Sequence, residues 1–172
     1  NFLIVKMAFL NAIKKRKDLQ MKGVKKECDP RDPRDVTGQP WVYELDPQRY
    51  IKLKGIGKWI LHYSDKDILN AWRKIQQLYR KKAIKGISNM KCSTKYNRKV
   101  CISYTIIVYC TDVKDKCIEI GHNIAKMMDY KPLSGKMSYK LDAQTMGAKP
   151  GSFIYQINVG KSQTDANIVK YS

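Results

Sequence analysis

Fourteen of the fifty residues from 51 to 100 are Lys or Arg and two are acids, so twelve of the chain's nineteen net positive charges fall in this stretch. Charge at that density attracts polyanions, of which nucleic acids and anionic membrane surfaces are the commonest in cells. The subset best placed to contact phosphates is Lys81, Lys82, Lys85, Lys91, Lys95, Arg98 and Lys99, spread over an expected helix end and the hairpin after it. Alternate strand residues share a face, so Lys91 and Lys95 are expected to align, with Tyr96 offering a ring on which a base can stack. Lys81 and Lys82 also have a purely structural reading, because cations at a helix C-terminus complement its dipole.

A second polar set follows later in the chain. If residues 137–142 form a strand, Lys140 and Asp142 project from one face, and a lysine beside a carboxylate can orient a phosphate-bearing ligand. Thr145 lies close by, and Lys136 and Lys149 flank the segment. The competing reading is a surface ion pair contributing about 1 kcal/mol or less. Gly135, Gly147 and Gly151 surround the segment as turn residues and match no phosphate-loop spacing.

Residues suited to breaking bonds are sparse. His62 and His122 are the only histidines, and neither belongs to a short polar motif of the kind paired-histidine nucleases carry. The sequence has no HExxH, no GxSxG and no clustered carboxylates for two-metal chemistry. Cys110 has Thr111 and Asp112 as neighbours, which do not activate a thiol. The five cysteines show no CxxC or Cys/His spacing, and their odd number with apolar neighbours fits a reducing compartment, cytoplasm or nucleus. No catalytic residue, metal or cofactor is assigned on this basis.

The elements that must position these residues read as one α+β domain. Hydrophobic residues at 43% suffice for a core, and aromatics at 10% argue against disorder despite the charge. Three zones are expected: a basic N-terminal arm over 1–28, a Pro-rich linker over 29–40 and a single domain over 41–172. The apolar first ten residues precede Lys14–Lys17, the reverse of a secretory leader, and no run approaches the roughly 18 apolar residues that span a bilayer.

Within the domain, 57–63 reads as a strand with Trp59, Leu61 and Tyr63 on one face. Ser64 and Asp67 resemble a capping box for a helix reaching about Lys82, with Ile68, Trp72, Ile75 and Tyr79 inward. A strand over 87–94, a polar turn at Tyr96–Lys99 and a long strand from Val100 to Cys110 follow, the last alternating Ile102, Tyr104, Ile106 and Val108. Asp112 is the expected cap of a second helix that buries Val113, Cys117, Ile120, Ile124 and Met128, with Pro132 at its exit. Strands over 137–142 and 152–159 complete a mainly antiparallel sheet with helices packed on one face.

This order, together with three strings, resembles the translation-initiation-factor-4E-like fold and within it the Bles (basophilic-leukemia-expressed-protein-like) family. The strings are Gly57-Lys58-Trp59-Ile60 leading into the helix with Trp72, the Val100–Cys110 strand leading into the helix with Ile120-Gly121, and Tyr139-Lys140-Leu141-Asp142-Ala143-Gln144-Thr145. The resemblance spans roughly residues 41–160. It implies a curved sheet with helices on the convex face and a concave face able to hold a nucleotide or other phosphate-rich ligand. In such a pocket Trp41 would supply one ring, beside Lys136, Lys140, Asp142 and Thr145. Cap-binding members of the fold hold methylated guanine between two aromatic rings with an acid beside the second. Residues 84–99 contain Tyr96 but neither Trp nor acid, so cap recognition does not carry over.

The sequence thus leads to a non-catalytic RNA- or nucleotide-binding protein using a basic surface, with RNA favoured over DNA. Two alternatives stay open: a protein-interaction module of the same fold that meets an acidic partner, and an enzyme on a nucleotide or small phosphorylated substrate.

Overall fold

Alternation of inward apolar and outward polar residues in short β-rich runs builds a sheet, and two amphipathic helices cover one side of it. In chain order the elements are β1 (Glu27–Cys28), β2 (Trp41–Leu45), β3 (Ile56–Tyr63), α1 (Ile68–Arg80), β4 (Asn89–Ser93), a 3-10 turn (Lys95–Lys99), β5 (Tyr104–Thr111), α2 (Lys114–Met128), β6 (Lys136–Leu141), β7 (Tyr155–Asn158) and β8 (Ile168–Lys170). The computed structural model describes residues 27–46, 56–99, 102–131, 135–142, 153–159 and 168–170, with backbone alone at 27–28, 99 and 168–170. The arm over 1–26, Val100, Pro132, Thr145, Lys149 and the Lys99 side chain lie outside the described residues.

The strands form one curved antiparallel sheet in the order β1-β2-β4-β5-β3-β6-β7-β8, with the short β1 and β8 at its edges. The α+β fold expected from the sequence is the one observed. Register places Glu44, Met90, Val108, Trp59, Tyr139 and Tyr155 in a single row across six strands, and this row faces the helices. Trp59 Nε1 donates to the Cys117 carbonyl of α2 at 2.8 Å, and Gly121 of α2 gives the indole the space it fills. The rings of Trp59, Tyr139 and Tyr155 pack in tilted pairs with centroids 5.2 and 5.7 Å apart. α1 buries Ile68, Trp72, Ile75 and Tyr79, each contributing roughly 1.5–3 kcal/mol of transfer free energy.

Several local expectations are corrected. α1 begins at Ile68 with Asp67 as its N-cap residue. Ser64 Oγ donates to the Asp67 carboxylate, and the Ser64 carbonyl accepts from Asp67 and Ile68, so the serine shapes the entry turn while its side chain caps no helix N–H. Val113, not Asp112, occupies the N-cap of α2, and its own side chain is exposed. β5 begins at Tyr104, which leaves Ile102 of the expected strand 95% exposed.

Residues 29–40 depart furthest from expectation, because they pack onto the domain as no linker would. Val36 joins the core, and the Lys95 and Tyr96 N–H groups donate to the Pro33 and Val36 carbonyls. Each Asp-Pro-Arg unit closes on itself: Arg31 and Arg34 fork onto Asp29 and Asp32 two residues back. These hydrogen bonds hold both carboxyls below the ordinary aspartate range. The charges satisfy one another locally, which frees the segment to lie against the sheet.

Candidate anion-binding face

The sheet face away from the helices carries the other strand parity. Its central row is Tyr43, Lys91, Ile107, Ile60, Ser138 and Gln156, and the next row is Leu45, Asn89, Tyr109, Lys58 and Lys140. Strand alternation therefore brings three lysines from β3, β4 and β6 onto one surface, with Trp41 and Tyr43 from β2 and Tyr109 from β5 among them.

Lys58 is the deepest of the three. Its ammonium donates to Asp142 Oδ1 at 3.0 Å, with 6% of the lysine side chain exposed against 37% of the aspartate. Tyr109 lies directly across the ladder from Lys58, and its ring centroid is 5.8 Å from the Lys58 ammonium and 5.7 Å from that of Lys91. Lys91 Nζ also stands 4.2 Å from the Trp41 ring centroid, a cation–π arrangement in a half-buried setting. Burial, then the nearby Lys58 charge, lowers the Lys91 pKa, while Asp142 works the other way. Burial first, then Asp142 and Tyr43, raises that of Tyr109. Burial thus disfavours the charged form of both groups, and the neighbouring Lys58 ammonium adds repulsion at Lys91.

Two further groups complete the surface. Gln156 Nε2 donates to Ser138 Oγ at 2.9 Å, and its buried Oε1 accepts no hydrogen bond among the described residues. Toward the opposite end of β3, His62 Nδ1 lies 3.3 Å from Thr105 Oγ1 and 3.4 Å from Ser103 Oγ, and partial burial lowers its pKa. His122 belongs to α2, on the helix side of the sheet, so the two histidines do not converge. No group of three or more His, Cys, Asp or Glu side chains gathers as a metal site among the described residues.

The lysines singled out from the sequence divide among three places. Lys91 is on the sheet face away from the helices, as are Lys140 and Lys136. Lys81, Lys82 and Lys85 are exposed around the C-terminus of α1, in the helix layer, and Lys82 adopts the left-handed conformation that ends that helix. Its backbone and that of Ala83 close the last turn on Tyr79 and Leu78. Lys95 and Tyr96 are in the 3-10 turn, where strand alternation has ended, so Lys95 does not align with Lys91. Arg98, in the same turn, lies over the Tyr104 ring at 5.2 Å. Residues 81–99 and 136–142 consequently share one surface only through β4.

Asp142, just past the end of β6, pairs with Lys58 across the sheet and not with Lys140. Lys58 and Tyr109 are the residues that sequence reasoning missed. Their signal was present: a lysine inside an apolar strand, alternating with Trp59, has to project from the face opposite the indole.

No protein-family model and no curated protein sequence matches the chain. Solved structures do. Two crystal structures of schistosome eIF4E, one with m7GpppA and 4E-BP and one with m7GpppG and 4E-BP, each align with a TM-score of 0.51 at 13% identity, covering 81% of this chain and 76% of theirs. At that identity the likeness establishes the fold, and the chain adopts the translation-initiation-factor-4E-like fold. No described helix is long and apolar enough to cross a membrane.

Proposed function

We propose that this protein binds a phosphate-bearing nucleotide or the exposed end of an RNA on the sheet face away from the helices, without catalysis. The observation that carries the reading is the convergence of Lys58, Lys91 and Lys140 with Trp41, Tyr43 and Tyr109 on one surface, where Asp142 is paired with Lys58. Lys91 and Lys140 contact phosphates, the aromatics offer stacking surface, and the Lys58–Asp142 pair sets the floor between them. Lys136 extends the surface along β6, and Thr145 is assigned to the same pocket. Lys81, Lys82, Lys85, Lys95, Arg98 and Lys99 add a field that draws a polyanion in, with Tyr96 as an outlying stacking ring. The schistosome neighbours, whose structures hold cap dinucleotides, support a nucleotide as the ligand. The strings around Trp59, Ile120 and Tyr139 favour Bles-like proteins as the nearer relatives, in the cytoplasm or nucleus.

Titration with a nucleoside triphosphate and with a short single-stranded RNA at rising salt tests the reading. Log affinity for the RNA should fall with log salt at a slope of about −0.7 per neutralised phosphate. Lys91→Gln and Lys140→Gln should each weaken binding several-fold. A salt-independent affinity, or unchanged binding in both variants, would overturn the assignment.

A second reading, an interaction module for an acidic protein, is favoured by one observation: the segment between β4 and β5 exposes Lys95, Tyr96 and Ile102. Pull-down with nuclease treatment separates the two, since a complex bridged by RNA is lost and a direct one survives.

A further inference from the structure

The indole of Trp41 already has a cation on it. Lys91 Nζ stands 4.2 Å from the ring centroid, and Lys91 and its cross-strand partner Tyr43 belong to the same face. Lys58 and Lys140 lie one row away on β3 and β6, and Asp142 is committed to Lys58. A base stacked on the Trp41 ring face opposite Lys91 would share the indole's electron density with that ammonium. A neutral base pays nothing for this. A base with its own positive charge meets Lys91 through the ring, with Lys140 further along the same face.

From this geometry we infer that the site discriminates against cationic bases and takes nucleotides whose base is uncharged, with Lys91 as the residue that sets the preference. The inference rests on the nucleotide reading above and adds the charge state of the base to it. Two unit charges about 8 Å apart at an effective dielectric of about 20 repel enough to weaken binding roughly thirty-fold, which is the upper scale of the effect. Solvent access to the half-buried Lys91 reduces it toward a few-fold. The same ammonium is what an aromatic ring would otherwise gain from a cationic ligand, so removing Lys91 both lifts the repulsion and vacates the indole.

GTP and 7-methyl-GTP make the cleanest pair of probes, because methylation at N7 places a positive charge on the guanine ring and leaves the triphosphate unchanged. Equilibrium titration of the full chain should give tighter binding of GTP than of 7-methyl-GTP, by about three-fold to thirty-fold. Lys91→Met, which keeps the aliphatic stem, should shrink or reverse the ratio while lowering affinity for both. Lys91→Arg, which keeps the charge and stacks equally well, should preserve it. Tighter binding of 7-methyl-GTP by the unaltered protein, or a ratio identical in Lys91→Met and wild type, would overturn the inference and leave the anion site standing. Failure of both nucleotides to bind would overturn the nucleotide reading and the inference together.

Discussion

A methyl group on Gly121 would overlap the Trp59 indole and lie 2.7 Å from Ile157 Cδ1, so α2 rests directly on β3 and β7 at this point. The close approach is what lets Trp59 Nε1 reach the Cys117 carbonyl, one turn earlier on the same helix. Gly57 is equally confined, since a Cβ there would overlap Tyr139 Oη, whose hydroxyl donates to the Thr111 carbonyl at 2.8 Å. Moving the Ile157 end would not relieve the first site, because at both positions the closest obstructing group is a hydrogen-bonded aromatic ring. Gly121→Ala should therefore cost about 1–3 kcal/mol through overpacking, seen as a lower urea midpoint with unchanged slope. Gly38, with nothing within 4 Å of its would-be Cβ, is the matched control and should be near neutral.

β2 is tied to α1 by one buried carboxylate. Glu44 accepts the Arg80 guanidinium in a fork at 2.9 and 3.0 Å and the Gln76 amide at 2.9 Å, and Gln76 also donates to the Asp29 carbonyl. Removing a buried partner of a charge pair costs about 3–5 kcal/mol when both are sealed from water, but Arg80 is half-exposed and can be rehydrated. Glu44→Ala should accordingly lose about 1–3 kcal/mol. The loss should be local: amide exchange should quicken in β2 and the last turns of α1 and stay unchanged in β6 and β7.

What was legible in the sequence follows the same division between local and distant. The strand over 57–63, most of the one expected over 100–110, and the buried stripes of both helices apart from Val113 could be read because period-2 and period-3.6 patterns are local. The Glu44–Arg80 fork and the Lys58–Asp142 pair, separated by 36 and 84 residues, depend on which strand lies beside which, and no spacing rule supplies that. The 81–99 lysines looked like one site because they are contiguous in the chain. They separate because a helix end, a strand and a 3-10 turn point them in different directions. Segment 29–40 misled for a related reason: its prolines and charges mark a linker by composition, while the Asp–Arg forks that let it pack are a matter of geometry.

Across the whole molecule, nineteen net positive charges repel one another, and this repulsion opposes the compact state. Added chloride screens it, with a Debye length of about 10 Å at 0.1 M, so salt should raise the melting temperature although it weakens polyanion binding. The two effects part company when the anion fits the sheet face away from the helices. A ligand at a hundred times its Kd adds about 2.7 kcal/mol to folding stability. For a domain of this length each kcal/mol moves the midpoint by roughly 2–4 °C. Inorganic tripolyphosphate should therefore raise the melting temperature several degrees beyond sodium chloride at matched ionic strength. The Lys91→Gln/Lys140→Gln double variant should keep most of the chloride response and lose most of that increment, because the general field comes from 34 Lys and Arg residues and the site from a few. If tripolyphosphate and chloride act alike at equal ionic strength, the basic surface stabilises only by being screened, and that sheet face has no specific hold on phosphate.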